Sequence, residues 1–102
     1  GGQPLAPENI AAVYEFVREA KERFPLKNIW LYTGYTLAPE DFSEADDSPQ
    51  CRTIAMCDVI VDGEYDASKR DTTLAFRGSS NQRIIDVKQT MTSGRIVTLA
   101  ID

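Results

Sequence analysis

Asp58-Val59-Ile60-Val61-Asp62-Gly63 decides how the rest of the chain is read. Three β-branched apolar residues in a row, bounded by acids and closed by a glycine, predict a short strand buried on both faces. Just upstream, residues 50–57 place Ile54 and Cys57 at a helical interval, which predicts a short helix with both side chains inward. Further back, Ile29-Trp30-Leu31-Tyr32 is a second bulky run of strand length, also expected to be buried on both faces, and Thr33-Gly34-Tyr35-Thr36 ends it. Strand, helical stretch and strand in that order predict a βαβ unit with parallel strands and a right-handed crossover.

Outward from this unit the pattern continues. Before it, Ile10, Val13, Tyr14, Val17, Ala20 and Phe24 recur at three- and four-residue steps, with Glu15, Arg18, Glu19, Glu22 and Arg23 on the other face. That is an amphipathic helix, opened near Pro7-Glu8 and stopped by Pro25. Residues 38–50 hold Glu40, Asp41, Glu44, Asp46 and Asp47 with no base, and read as a solvated excursion without the ordered ligand spacing and glycine of a calcium loop. After the unit, residues 63–78 form a long polar loop, of the kind that is usually functional or mobile. Ser79-Ser80-Asn81 supplies N-cap residue types, and Ile84, Val87 and Met91 then fall at helical spacing, with Ile84-Ile85 as the start of a strand as the alternative. Ser93-Gly94 closes that segment, and Ile96-Val97-Thr98-Leu99-Ala100-Ile101 reads as a last strand. Alternating helices and strands predict an α/β domain built on a parallel sheet.

Composition narrows the chemistry. The chain has 102 residues, 16 acidic and 11 basic side chains, a net charge of −5, no histidine and two cysteines. That length allows one small domain. Without histidine there is no serine–histidine or cysteine–histidine catalysis. Cys51 and Cys57, six apart, match no common thiol motif and read as buried core thiols, with a disulfide or redox pair as the alternative. An acidic total argues against a general nucleic-acid binder. No apolar run approaches the ~20 residues that cross a bilayer, so no membrane partner is expected and the chain is read as cytoplasmic. It opens on Gly1 rather than Met and reads as part of something longer.

In parallel sheets, ligands gather at the carboxyl ends of the strands. Those ends carry Thr33-Gly34-Tyr35 and Asp62-Gly63-Glu64, with Gly1-Gly2-Gln3 just before the first helix. Three glycine-bearing turns on one sheet edge predict a ligand site there, and the residues alone leave the ligand open.

Four stretches together resemble a known family. Gly1-Gly2-Gln3-Pro4-Leu5 is similar to the Gly-Gly-acid segment of radical S-adenosylmethionine enzymes, which in activases often reads Gly-Gly-Glu/Asp-Pro-Leu. The two strand-end stretches at 29–36 and 58–63 follow in order, and Phe76-Arg77-Gly78-Ser79-Ser80-Asn81-Gln82-Arg83-Ile84-Ile85-Asp86 is the most specific piece. The nearest resemblance is to the activases of the anaerobic (class III) ribonucleoside-triphosphate reductase. It implies a glycyl-radical activase, with a [4Fe–4S] cluster on three cysteines that binds and reductively cleaves S-adenosylmethionine using electrons from flavodoxin. The resulting 5′-deoxyadenosyl radical takes a hydrogen atom from a glycine of the reductase. The implied fold is a partial (β/α) barrel, of which residues 1–102 would be the C-terminal part.

Carried over residue by residue, the resemblance implies cofactor contacts at Gly1, Gly2, Gln3, Thr33, Gly34 and Asp62. Gln3 departs from the family acid: a carboxylate would pair with the ligand's ammonium, whereas an amide oxygen accepts a bond weaker by a factor of ~2. Among Lys69, Arg70, Arg77 and Arg83, the two that flank the specific motif, Arg77 and Arg83, are the candidates for docking the reductase; the other reading is a solvated loop. The family's Cys-x3-Cys-x2-Cys loop is not in these residues, so no metal ligands and no catalytic residue are assigned, and the chain alone is expected to be inactive. Two alternatives remain: a non-catalytic module that docks to the reductase, and an activase of another glycyl-radical enzyme such as pyruvate formate-lyase.

Overall fold

An apolar stripe opposite a charged face makes Ile10–Arg23 a helix, α1. The computed structural model describes residues 3–101. Ile10 and Val17 of α1 are buried, and Val13 packs on the same core. Arg18 pairs with Glu15 and Glu22, and Arg23 with Glu19, each at 2.9 Å on the solvent side. Exposed pairs of this kind are screened by water and add little, so burial of the stripe holds the helix. The N–H of Phe24 still reaches the Ala20 carbonyl at 2.8 Å, and Pro25 then ends the run.

Trp30–Tyr32 forms β1, Pro49–Met56 forms α2, and Val59–Asp62 forms β2. Ser48 caps α2, its hydroxyl accepting from the Cys51 N–H at 3.2 Å, with Pro49 in the first turn. β1 and β2 are parallel, Leu31 opposite Ile60, as the βαβ reading expected. A 3-10 turn at Pro39–Phe42 interrupts the acidic excursion and buries Phe42.

Beyond β2 the structure departs from expectation. Residues 63–82 contain a 3-10 turn, Ala67–Lys69, and a single Arg70–Ser79 bridge, and no helix carries the chain back along the sheet. The next strand, β3 at Arg83–Asp86, therefore enters at the end where β2 leaves, and it pairs antiparallel, Asp62 opposite Arg83. The expected all-parallel sheet is instead a mixed three-stranded sheet in the order β1-β2-β3. The helical spacing holds for Val87 and Met91, which lie on the helix over 87–93 and face the core, but Ile84 belongs to the strand before it. Ile84 and Ile85 are both buried but belong to different core clusters, which is the two-residue period of a strand. The helix that follows, α3 at Val87–Ser93, is capped by Asp86, whose carboxylate accepts from Gln89 N at 2.9 Å, and not by Ser79-Ser80-Asn81. Gly94 ends it in the left-handed conformation, φ 75°.

The last expected strand is a single bridge. Asp86 N donates to Val97 O and Leu99 N to Ile84 O, both at 2.8 Å, but Val97 N goes to the Thr90 hydroxyl on α3 and no ladder extends. β1 also differs from its reading. It lies at the sheet edge, with Tyr32 50% exposed, so bulk alone did not imply burial on both faces.

The main core lies where Leu5, Ile10, Val17, Phe42, Ile54 and Cys57 meet Ile60 and Ile85 of the sheet. A smaller cluster of Val59, Val61 and Ile84 is covered by Trp30 and Leu99. Phe76 from the long loop packs on Trp30, ring centres 5.0 Å apart.

Candidate functional site

The carboxyl ends of β1 and β2 lie side by side because the two strands are parallel and in register. Thr33 N extends that pairing to Val61 O at 2.9 Å, and Gly63 N donates to Tyr35 O at 3.0 Å. Gln3 closes the ledge. Its Oε1 accepts from the Thr33 hydroxyl and from Gly34 N, the latter at 2.9 Å. Its main-chain carbonyl is held by Asn9 Nδ2 at 2.8 Å and by Ala6 N at 3.1 Å. Gly34 makes this seat possible: a Cβ there would stand 2.6 Å from Gln3 Nε2. Thr33 is only 5% exposed and its donor is spent on Gln3, so it supports the ledge from beneath. Gln3, Thr33 and Gly34, 30 residues apart in sequence, are thus one unit. Gly1 and Gly2 lie outside the described residues.

Asp62 has a different position. It is fully buried, and its carboxylate is taken up inside the fold. Oδ1 accepts from Arg83 Nε at 2.9 Å, and Oδ2 from Arg83 NH2 at 2.6 Å and from Leu37 N at 2.8 Å. Arg83 NH2 also donates to Leu37 O at 2.7 Å. The pair therefore grips both main-chain groups of Leu37, on the segment that leaves Thr33-Gly34. The hydrogen bonds to Asp62 raise the Arg83 pKa above its ordinary value, against the opposing effect of burial.

The motif at 76–83 also works inside the fold. Gln82 Oε1 accepts from Gly78 N at 2.9 Å and Ser79 N at 3.2 Å, while its Nε2 donates to Gly63 O at 3.0 Å. Arg77 donates to Gln82 O at 2.7 Å, and Asn81 Nδ2 to Glu64 O at 2.8 Å. Gly63 adopts φ 102°, a conformation that disfavours any side chain. Arg77 and Arg83, the candidates for docking a partner, both have internal tasks that sequence reading did not assign. Gln82 and Leu37 were missed altogether. Gln82 stood inside the quoted motif, but nothing local showed that its amide would join two loops.

The two thiols are separate from this ledge. Cys51 and Cys57 are unpaired and buried around α2. Burial pushes both thiols up, Cys57 to about 12 with Asp58 adding to the effect. Among the described residues, no group of three or more His, Cys, Asp or Glu side chains is placed to hold a metal. A [4Fe–4S] cluster needs thiolates, so these two protonated core thiols do not fit it. A cleft of about 390 Å³ between the Pro39–Phe42 turn and α3, lined by Phe42, Glu44, Thr90 and Met91, shares no residue with the ledge. Its position follows the packing of α3, not the chemistry at the strand ends. Among the described residues no helix is long and apolar enough to cross a membrane.

Comparison with known proteins gives a consistent set. The family model described as "4Fe-4S single cluster domain" matches residues 1–85. The chain is 45% identical over 84 residues to a protein of Vibrio cholerae, covering 82% of this chain and 50% of that one. It is 40% identical over 84 residues to a protein of Pasteurella multocida, covering 82% and 51%. The figures for a protein of enterobacteria phage T4 are 39% over 84 residues, 82% and 48%. Each is named anaerobic ribonucleoside-triphosphate reductase-activating protein. The chain spans about half the length of these curated relatives. No solved structure matches it.

Proposed function

The chain belongs to the 4Fe-4S single cluster domain family, and from that premise we propose that it is the cofactor-positioning, C-terminal part of an activase for an anaerobic ribonucleoside-triphosphate reductase. The observation that carries this reading is the ledge. Gln3, Thr33 and Gly34 meet at the carboxyl ends of two parallel strands, where α/β folds take their ligands. The proposed ligand is S-adenosylmethionine, held by Gln3 and Gly34 together with Gly1 and Gly2. When bound, it supplies the source of the radical that is passed to a glycine of the reductase. Thr33 holds the Gln3 amide in place, and Asp62 with Arg83 holds the Leu37 backbone beside it. Glycine at 34 makes room for the Gln3 amide over the strand end.

The cluster is assigned to a segment outside these residues, because Cys51 and Cys57 are core thiols. In this reading the whole activase is a cytoplasmic partial (β/α) barrel that draws electrons from flavodoxin and docks to the reductase. Exposed Tyr65 and Phe76 and the basic residues of the 63–82 loop are the surface proposed for that contact. A second reading, a reductase-docking module without catalysis, draws on the same two thiols.

The in-frame coding sequence ahead of Gly1 separates the two. A Cys-x3-Cys-x2-Cys loop there is the expected result. The longer product, loaded anaerobically with iron and sulfide and given S-adenosylmethionine and a reductant, should then place a glycyl radical on the reductase, read by electron paramagnetic resonance. A start codon directly before Gly1 leaves only the docking module. A cluster-loaded product that never yields the radical sinks the activase reading.

A further inference from the structure

The ledge has a polarity that its residue types do not announce. A glutamine amide carries one oxygen with two acceptor positions and one nitrogen with two donors. In Gln3 both acceptor positions are used, by the Thr33 hydroxyl and by Gly34 N–H. The N–H of Gly34 can only donate, so the atom it meets must be the oxygen, and the orientation of the amide is fixed by chemistry. The nitrogen is therefore the free end. It stands over Gly34, in the space a Cβ would fill, and among the described residues it has no acceptor. Gln3 is half-buried, not fully enclosed, so its side chain stays within reach of solvent and of a ligand.

We infer that Gln3 is a specificity-determining residue that makes the ledge a hydrogen-bond donor, so that it recognises an acceptor on the ligand, a carboxylate oxygen, and not an ammonium group. The inference rests on the reading proposed above and deepens it. The methionine end of S-adenosylmethionine carries both groups, and this chain selects the carboxylate. A glutamate at position 3 would keep one oxygen on Thr33 and Gly34 and place its second oxygen where Nε2 now stands. The free end would then be an anionic acceptor and its preference would invert.

The test compares the chain with its Gln3→Glu and Gln3→Ala variants by calorimetric titration. The two probes are S-adenosylmethionine and decarboxylated S-adenosylmethionine, which keeps the amine and lacks the acceptor. The unaltered chain should favour S-adenosylmethionine by roughly tenfold, the ratio expected for one charge-assisted hydrogen bond. Gln3→Glu should shift that ratio by about tenfold or more toward the amine-only probe, and Gln3→Ala should bring it near unity. Circular dichroism and the Gly34 amide resonance check that each variant keeps the fold and the ledge. If both probes bind and the ratio stays within twofold in Gln3→Glu, the donor assignment is overturned and the ligand reading survives. If the unaltered chain binds neither probe, the ligand reading falls and the assignment falls with it.

Discussion

Two polar regions follow the parallel strands, and they are held in different ways. At the strand ends, side chains reach across the fold: Asp62 to Leu37, 25 residues away, Arg83 to Leu37, 46 away, and Gln82 to Gly63, 19 away. In the acidic excursion the side chains close on near neighbours: Asp41 on Ala38, Ser43 on Ala45, and Asp46 on Ser48, two or three residues away. Only Phe42 anchors that excursion deeply in the core. Local bonds shape a loop but do not fix it relative to the sheet, whereas long-range bonds hold one element against another. Both regions are rich in polar residues. Only the first holds its side chains rigidly between separate elements.

The contrast is broken most severely by Asp62→Ala. It leaves Leu37 N without its acceptor and Arg83 with the Leu37 carbonyl but no carboxylate, a loss of about 3–5 kcal/mol for a broken buried pair. Arg83 is one-third exposed and water can take part of its charge, so the lower end applies. Thermal unfolding should fall by roughly 15 °C; a fall of only a degree or two would show that the pair does not hold the ledge. Gln82→Ala comes next. Three main-chain groups lose their partner, and urea denaturation should register a loss of about 2 kcal/mol. Hydrogen exchange at Gly78 and Ser79 should accelerate in the same variant.

Gly63→Ala should cost about 1–2 kcal/mol, from the backbone alone. A Cβ at 63 meets nothing nearer than 3.5 Å, so the strain is conformational and not a clash. A denaturation midpoint equal to that of the unaltered chain would rule this out. The smallest effect belongs to the acidic excursion. Asp46 is held below its ordinary value of 3.8 by the Ser48 N–H and then its hydroxyl. Its folded pKa is depressed, so its contribution is present above pH 3.8 and is lost as the pH falls through the folded value. Asp46→Asn should lower the thermal midpoint at pH 7 only slightly and flatten the acid limb of the stability profile, because the contribution it removes is present at neutral pH and already lost in acid. A clear loss at pH 7 would mean that the excursion is held more firmly than its local bonds imply.

Legibility in the sequence followed the range of the interaction. α1 was readable because its stripe, charged face and terminating Pro25 lie within one local pattern. α2 and β2 were readable for the same reason: Ile54 and Cys57 fell inward, and all four residues of β2 are buried. At β3 the sequence left two readings open, because Ile84, Val87 and Met91 satisfy a helical period while Ile84 and Ile85 satisfy a strand's. Only the bonds to β2 choose between them. The glycine-bearing turns marked the right sheet edge, yet the partners of each side chain there were invisible.

The sequence by itself determined the helices and central strand, the α/β class, the inward position of Cys57 and the edge at which polar and glycine residues converge. Each of these rests on periodicity, turn chemistry or composition, which act over a few residues. Tertiary structure alone decided the antiparallel entry of β3, the burial of Thr33 bonded to Gln3, the use of Asp62 and Arg83 as a clamp, and the placement of the Gln3 nitrogen over Gly34. Those depend on which donors and acceptors meet across 20 to 46 residues of chain, and a polar side chain's type does not say which partner the fold will bring to it.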